Sequence, residues 1–433
     1  MLTNPVVISI IVMGVLCLAR LNVLLAILIS ALVAGILGGL GIEKSISILI
    51  SGMAGNLETA LSYILLGALA SAIAQTNLTT ILIHYIAKFV QNRRLMFCLS
   101  LAFFACFSQN LIPVHIAFIP ILIPPLIPLM NRLKIDRRAV ACALTFGLKA
   151  PYVSFGAGFG LIFHTILRDQ LNQNGVQVDL NDVASVMWIG GTCMFVGLLL
   201  GIFVFYRKPR EYQNTYLSKK EMENLEKPNM QRKDFAVLLG AIIAFVVQLW
   251  IGSLPLGGLC GLVVMVLLGG IAWGEIDSVM ENGFKMMAFI AFVMLVAAGF
   301  GAVLKETGAI TTLVDYVATL TQGKLLGAFM MLLVGLFITL GIGTSFGTIP
   351  IIAAIYCPLA LTLGFSPAAI ILLVGIAGAL GDAGSPASDS TLGPTSGLNI
   401  DKQHNHIWDT CVPTFLMYNI PLILGGTLAA VVL

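Results

Sequence analysis

The sequence predicts an all-α, polytopic membrane protein made of two inverted-topology repeats, each about five spans plus a re-entrant hairpin and a broken helix. Three observations predict it. Of the 433 residues, 58% are hydrophobic and 10% charged, against about 45–50% and about 25% in soluble domains. The apolar residues gather into runs on either side of one polar segment. Those two sides repeat one another in order and, locally, residue by residue. This balance excludes both a soluble chain and a disordered one, which needs low hydrophobicity and high net charge. The net charge of +3 comes with no basic patch interleaved with aromatics, so the expected partners are membrane lipid and a small-molecule substrate, not nucleic acid.

The apolar segments of the first half are roughly 5–19, 22–40, 59–75, 95–131, 138–165 and 185–206. Those of the second half are 235–250, 254–272, 287–304, 325–364, 366–381 and 411–433. About 20 apolar residues cross a bilayer, so 95–131 and 325–364 are each too long for one span and must turn back. Between the halves, Tyr206 to Asp234 is rich in Lys and Arg. The expected organisation is a first repeat at 1–206, a polar linker at 207–233 and a second, inverted repeat at 234–433. Eight cysteines stand singly in apolar runs and no C-x-x-C occurs, which argues against a zinc site or a disulfide framework. No positive charge precedes the first apolar run, so a cleaved signal peptide is not expected.

At an offset of 231, residues 74–95 lie on 305–326 with seven of 22 positions identical, including Thr76/Thr307, Tyr85/Tyr316 and Gln91/Gln322. At 230, Ile119-Pro120-Ile121 and Pro128-Leu129 fall on Ile349-Pro350-Ile351 and Pro358-Leu359. The Gly38-Gly39 pair is matched to Gly269-Gly270. Such identity marks an internal duplication. If the long stretch returns to its starting side and the other five segments each cross once, the second repeat is upside down. Lys and Arg collect on cytoplasmic loops. A cytoplasmic linker also puts Arg20, Lys88, Arg93, Arg94, Arg132, Lys134, Arg137 and Arg138 inside, so both termini are expected outside a bacterial-type inner membrane. Inverted repeats are a construction of secondary transporters.

Polar groups inside spans are costly and mark function by default. The first long stretch holds Ser108, Gln109, Asn110, a proline and His115; the second holds Gly343, Thr344, Ser345 and a proline. Both read as hairpin tips that line a cavity, or as tight helix crossings. The next segment of each half is interrupted by Lys149-Ala150-Pro151-Tyr152-Val153-Ser154 and by Gly381 to Thr391. From Leu325 to Gly381 there are 57 residues without a charge, and then Asp382, Ser385, Ser388, Asp389 and Thr391 follow closely. These hard oxygen ligands suit Na⁺ or a proton; an ordinary capped turn would use the same residue types. Lys149 is open between pairing with Asp382, binding a substrate carboxylate and snorkelling to the interface. His115 can carry a proton or be a satisfied structural histidine. Gly343 to Gly347 fits G-x-S-x-G, but that nucleophile elbow needs a strand-to-helix turn with a His and an acid. No enzyme is expected, and no P-loop or H-E-x-x-H occurs.

The string at Gly381 to Thr391, GDAGSPASDST, resembles the G-D-x-x-S-P-x-S-D-T-T signature of the NhaC-type Na⁺/H⁺ antiporter family. The tip at Ser108 to Pro113 is similar to that of the wider ion transporter superfamily. The resemblance implies a scaffold domain and a mobile transport domain, a homodimer, an elevator-like step, and a binding site at the hairpin tips and broken helices. By position it assigns substrate or ion contacts to Ser108, Gln109, Asn110, Lys149, Ser154, Gly343, Thr344, Ser345, Asp382, Ser385, Ser388, Asp389 and Thr391. His115 joins them on the residue reading alone. The Na⁺ candidates are Ser108, Asn110, Thr344, Ser345, Asp382 and Ser385; no cofactor beyond a coupling Na⁺ or H⁺ is expected. The chain departs from the signature at Ser390-Thr391-Leu392-Gly393, and Tyr152 stands where the second repeat has Asp382. A branch of the superfamily is similar to amino-acid permeases, including histidine uptake. The expected function is a Na⁺- or H⁺-coupled carrier of an amino acid or similar small charged metabolite; the alternative is a Na⁺/H⁺ antiporter without organic substrate.

Overall fold

Long runs of Leu, Ile, Val and Ala can satisfy their backbone inside a bilayer only as helices or closed barrels, and here they are helices. The computed structural model describes residues 4–19, 21–78, 81, 94–110, 119, 123, 126–213, 230–251, 253–310, 312, 323–342, 345–386 and 388–433. It is 82% helical, with no strand among the described residues.

The first half contributes α1 (Pro5–Leu18), α2 (Val23–Leu37), α3 (Ile42–Met53), α4 (Leu57–Ala74), α5 (Arg94–Asn110), α6 (Ile127–Arg132), α7 (Arg137–Ser154), α8 (Phe159–Gln173) and α9 (Leu180–Leu200). The second contributes α10 (Arg232–Ile251), α11 (Leu254–Leu267), α12 (Ile276–Glu306), α13 (Lys324–Ile342), α14 (Ser345–Thr362), α15 (Pro367–Ala379), α16 (Asp389–Leu398) and α17 (Val412–Val432). Side-chain oxygens cap several starts: Asn22 at α2, Asp136 at α7, an Asp179–Asp182 capping box at α9, Ser366 at α15 and Ser388 at α16. Each occupies one of the amide donors that a helix start leaves unpaired.

Several apolar runs differ from the sequence expectation. The runs 22–40 and 254–272 stop early, as α2 and α11, because the chain turns through Gly39 (φ 78°) and Gly269 (φ 74°). The run 287–304 belongs to a helix of 31 residues, α12. Residues 42–53, outside every predicted run, form amphipathic α3, bent 53° against the helix that follows. The run 138–165 is two helices, α7 and α8, bent by 47°. Among the described residues, three unbroken helices are long and apolar enough to cross a membrane, Leu180–Phe205, Ser345–Thr362 and His406–Val432, or five spans if each bent pair counts once. In the stretch 325–364, α14 runs back along α13: the Tyr356 hydroxyl donates to the Met331 carbonyl, and these two residues are equally far from positions 343–344.

Local geometry recurs between the halves. Leu133, Lys134 and Ile135 bond back to Leu129, Asn131 and Met130, and 230 residues later Leu363, Gly364 and Phe365 bond to Leu359, Leu361 and Ala360. Lys134 and Gly364 both have positive φ, 49° and 74°. The bonds Leu40 N to Gly35 O and Gly270 N to Met265 O recur at the same offset. Gly39 therefore answers Gly269, one residue away from the pairing read in the sequence.

The helices pack as two groups, and each group takes members from both halves. One group is α1–α4 with α10–α12; the other is α5, α7–α9 and α13–α17. They meet where α12 lies on α14, α1 on α13 and α8 on α4. Within the first group, α12 comes against α4 at bare backbone: a Cβ on Gly283 would lie 2.3 Å from Ala68 N, and one on Gly67 would lie 2.5 Å from Gly283 O. Apolar lipid supplies no hydrophobic drive between helices, so such small-residue approach is a main source of their packing.

At one end of the second group, fully buried Arg137 makes a two-pronged pair with Asp401 at 2.6 Å and also bonds Asn131 and the Leu398 carbonyl. The start of the linker docks on the same cluster: Arg210 pairs with Asp409 at 2.7 Å, and Tyr212 accepts from Arg137 N. Replacing Gly283 by Val should force α4 and α12 apart and cost about 1–3 kcal/mol or more through overpacking. The expected readout is a lower unfolding temperature in detergent and loss of the monodisperse peak; an unchanged profile would contradict this crossing.

Candidate substrate and ion site

The site lies where two helices of the second group are interrupted. After α15, Gly381 (φ 77°) and Gly384 (φ 110°) take backbone conformations that L side chains rarely adopt, and a Cβ at either would come within 2.5 Å of Leu340 N or the Phe415 side chain. Between them sits Asp382. Asn419 of α17 accepts from Gly381 N at 3.0 Å and donates to the Ala383 carbonyl at 2.9 Å, clamping the backbone on both sides of the carboxylate. Thr391 donates to the carbonyls of Ser385 and Ser388, and Ser385 donates to Leu340 O. These bonds replace the helical pairs that the break removes.

Lys149, fully buried on α7, approaches Asp382 Oδ2 to 2.8 Å. The Tyr152 and Ser345 hydroxyls each lie 3.0 Å from the same oxygen and 3.0 Å from one another. Ser388 donates to Oδ1, and Ser390 donates to the Asp382 carbonyl at 3.1 Å. Both carboxylate oxygens are thereby engaged. Ser388 caps α16, so the N-terminus of that helix, with its partial positive charge, is turned to the carboxylate. Broken helices that turn their ends to a charged ligand are a transporter device. Beside Tyr152 stands an aromatic wall centred on Phe346, with ring distances of 5.8 Å to Tyr63, 5.2 Å to Tyr152 and 6.0 Å to Phe163. Tyr63 comes from the first helix group, so the wall spans the seam.

Of the residues singled out in the sequence, Lys149, Ser345, Asp382 and Ser388 meet directly. Ser385 and Thr391 fasten the break through backbone carbonyls. Ser154 spends its hydroxyl on Ala150 O, one turn back in its own helix. Ser108, Gln109 and Asn110 are helical residues of α5, and Asp389 opens α16. His115, Gly343 and Thr344 lie outside the described residues. Lys149 pairs with Asp382 and does not snorkel. Of the Na⁺ candidates, Ser345 and Asp382 touch. Among the described residues, no group of three or more His, Cys, Asp or Glu could hold a metal ion.

Sequence reasoning missed Tyr152, Ser390 and Asn419. Tyr152 carried a signal, since it stands 230 residues before Asp382, the spacing at which turns recur, and meets that same residue. Asn419 was visible as a lone amide in an apolar span, a pattern that marks buried polar work.

A sequence profile of the Na⁺/H⁺ antiporter family matches residues 143–427, and a second Na⁺-H⁺ antiporter family profile matches residues 4–90. The chain belongs to the Na⁺/H⁺ antiporter family. It is a secondary transporter and not an enzyme. Among relatives of this family member, a Vibrio parahaemolyticus membrane protein is 49% identical over 99% of this chain and 100% of its own. A Bacillus subtilis protein, named "Putative amino acid transporter YuiF", is 45% identical over 99% of this chain and 100% of its own. Two solved structures share the fold at 15% identity. Neisseria gonorrhoeae MtrF, described as illuminating a class of antimetabolite efflux pumps, has a TM-score of 0.65 over 91% of this chain and 85% of its own. The Alcanivorax borkumensis YdaH transporter has a TM-score of 0.59 over 90% and 88%.

Removing one member of a buried ion pair strands the other, at a cost of about 3–5 kcal/mol, whereas replacing both by apolar residues is often neutral. Lys149→Met or Asp382→Leu alone should therefore lower thermal stability in detergent by that order, and the double substitution should recover most of it. A double variant no more stable than either single one would mean that the pair is not coupled as described.

Proposed function

We infer that this family member is a Na⁺- or H⁺-coupled carrier of an amino acid or similar small charged metabolite, working by an elevator-like step. The observation that carries this reading is the buried Lys149–Asp382 pair, 2.8 Å apart, at a helix break lined with hydroxyls. Opening such a pair costs several kcal/mol unless each charge finds a new partner. A zwitterion brings both partners at once, with its carboxylate for Lys149 and its ammonium for Asp382. A coupling cation can instead take the carboxylate and hydroxyls of Asp382, Ser345 and Ser388 and free Lys149 for a substrate anion. Coupling then requires only that ion and solute prefer the same facing state.

Several features support the mechanism. The two helix groups are bodies that can slide against each other. Turns that recur at a spacing of 230 residues support two repeats. Tyr152 and Asp382 hold corresponding positions and touch each other, which residues so related do only near a shared axis; that favours two symmetry-related repeats. The name of the Bacillus subtilis relative favours an amino acid. The family name favours the second reading, a Na⁺/H⁺ antiporter without organic substrate. The linker start docks beside Arg137 and Arg138, and the positive-inside rule then puts this end in the cytoplasm, with both termini outside. A homodimer in an inner membrane completes the reading.

Purified protein in liposomes with an internal pH dye tests it. A Na⁺ gradient alone should give little proton flux, and a Na⁺ or proton gradient should drive uptake of a radiolabelled amino acid of the transported class that Asp382→Asn abolishes. Proton flux with Na⁺ alone, unchanged by any amino acid, would leave the antiporter reading instead. A cysteine at Leu217 should be protected from impermeant label in intact cells; labelling from outside would reverse the orientation.

A further inference from the structure

The break between α7 and α8 is not a copy of the one that holds Asp382. At positions 230 residues before Asp382, Ser385, Ser388 and Ser390 stand Tyr152, Phe155, Gly158 and Gly160, so three of its four polar positions have become apolar. One polar group remains there that the Asp382 site does not use. His164 on α8 is fully buried, and its Nε2 lies 3.0 Å from the Val153 carbonyl. A carbonyl can only accept, so Nε2 carries the hydrogen and Nδ1 presents a lone pair. That Nδ1 is buried and has no hydrogen-bond partner. Buried polar atoms are nearly always paired, so an orphan calls for an explanation.

The geometry around Nδ1 supplies one. It faces Gly156, where a Cβ would lie 3.1 Å away. Gly156 and Ala157 are half-buried and Phe155 is 66% exposed, so the bare backbone of one glycine separates the lone pair from an open face. Among the described residues no cationic side chain bonds Nδ1. The elements packed most closely on α8 are α4, α5, α7, α9, α14 and α15, while α10 reaches its start through Gln248 and α12 reaches its far end, where Lys305 donates to the Gln173 carbonyl at 3.0 Å. Lys149 and Tyr152 on α7 are committed to Asp382, Tyr63 on α4 lies against Phe159 and Phe346, and Tyr356 on α14 bonds Met331 O. Arg94 and the cysteines of α5, Asp182 and Cys193 of α9 and Cys357 of α14 make no bond to Nδ1, and α15 carries no titratable side chain. On α8 itself, Arg168 pairs with Asp169 at 2.6 Å.

We propose that His164 is a proton-binding site of this carrier, separate from the Lys149–Asp382 pair, which takes up and releases its proton at Nδ1 through the glycine gap in the first broken helix. The proton forms an N–H bond at the lone pair, and the imidazolium keeps its Nε2 bond to Val153. The carbonyl-bearing end of α7 favours a positive charge there. Val153 adjoins Tyr152, whose hydroxyl reaches Asp382, so one peptide unit links the two sites. On its far side, the Gly158 carbonyl accepts from Gln248 of α10, in the other helix group, at 3.2 Å. The gap therefore lies on the seam, where sliding of the groups changes the cover over Nδ1 and with it the proton affinity.

The proposal rests on the coupled-carrier reading, but its test needs no transported substrate. Full-length protein carrying ring-labelled histidine in detergent micelles is titrated by NMR between about pH 5 and 8, the range in which histidine ordinarily changes charge. The His164 signal is identified by its loss in His164→Gln, whose amide can still donate to Val153. If that variant does not fold, it is identified as the signal left when His84, His115, His404 and His406 are replaced. The expected result is a signal that titrates in this range and whose midpoint moves in Gly156→Ala, where a methyl covers Nδ1. A His164 signal that does not move with pH overturns the proposal and leaves the carrier reading intact. A titrating His164 in a protein with no amino-acid-dependent flux overturns the carrier reading alone.

Discussion

A lysine and an aspartate brought together where neither can be hydrated dominate this structure. An isolated charge at that depth would cost several kcal/mol, so Lys149 and Asp382 each exist there only because of the other. Three hydroxyls and the N-terminus of α16 complete the carboxylate's environment beside an interruption in otherwise apolar helices. The interruption in turn depends on Gly381 and Gly384, whose positive φ only glycine accepts without strain, and on Asn419, which occupies the backbone groups they release. The polar centre and the broken helices are one device: the break creates unpaired backbone groups, and the site is made from the groups that pair with them.

That device sits beside a seam. The Lys149–Asp382 cluster and its supporting helices belong to one packing group, while Tyr63 and Gln248 reach it from the other. Within the first group, contacts are made by glycine backbone against backbone, as between α4 and α12, which suits a rigid body. Across the seam, the contacts at the site are aromatic rings around Phe346 and a single amide bond to Gly158. The broadest seam contact, α12 on α14, brings Gly301 against the Pro350 carbonyl, where a Cβ would lie 3.2 Å away.

Much of this was legible in the sequence because charge is conspicuous in apolar surroundings. Asp382 after 57 neutral residues and Lys149 in the matching segment could be found by inspection. The recurring turns were legible because they need particular residues at fixed spacing. Other parts were not legible. Tyr152, Ser390 and Asn419 are ordinary residue types, and their roles arise only from what folds against them. His164, in the run LIFHTIL, has no sequence feature that separates a satisfied histidine from one with an orphaned nitrogen. Helix ends were also misjudged, since an apolar run continues through a turn that one glycine imposes, as at Gly39 and Gly269.

The sequence by itself determined a polytopic helical membrane protein whose halves share turn signals at a fixed spacing, a transporter signature at Gly381 to Thr391 and the two charges on which a site could be founded. Composition and spacing carry that much, because a bilayer leaves the chain few ways to satisfy its backbone. Tertiary structure alone decided that those charges pair, that Tyr152 joins them while Ser154 turns away, and that helices from both halves sort into two groups. These outcomes depend on which helix faces meet across hundreds of residues, and local sequence does not encode that choice.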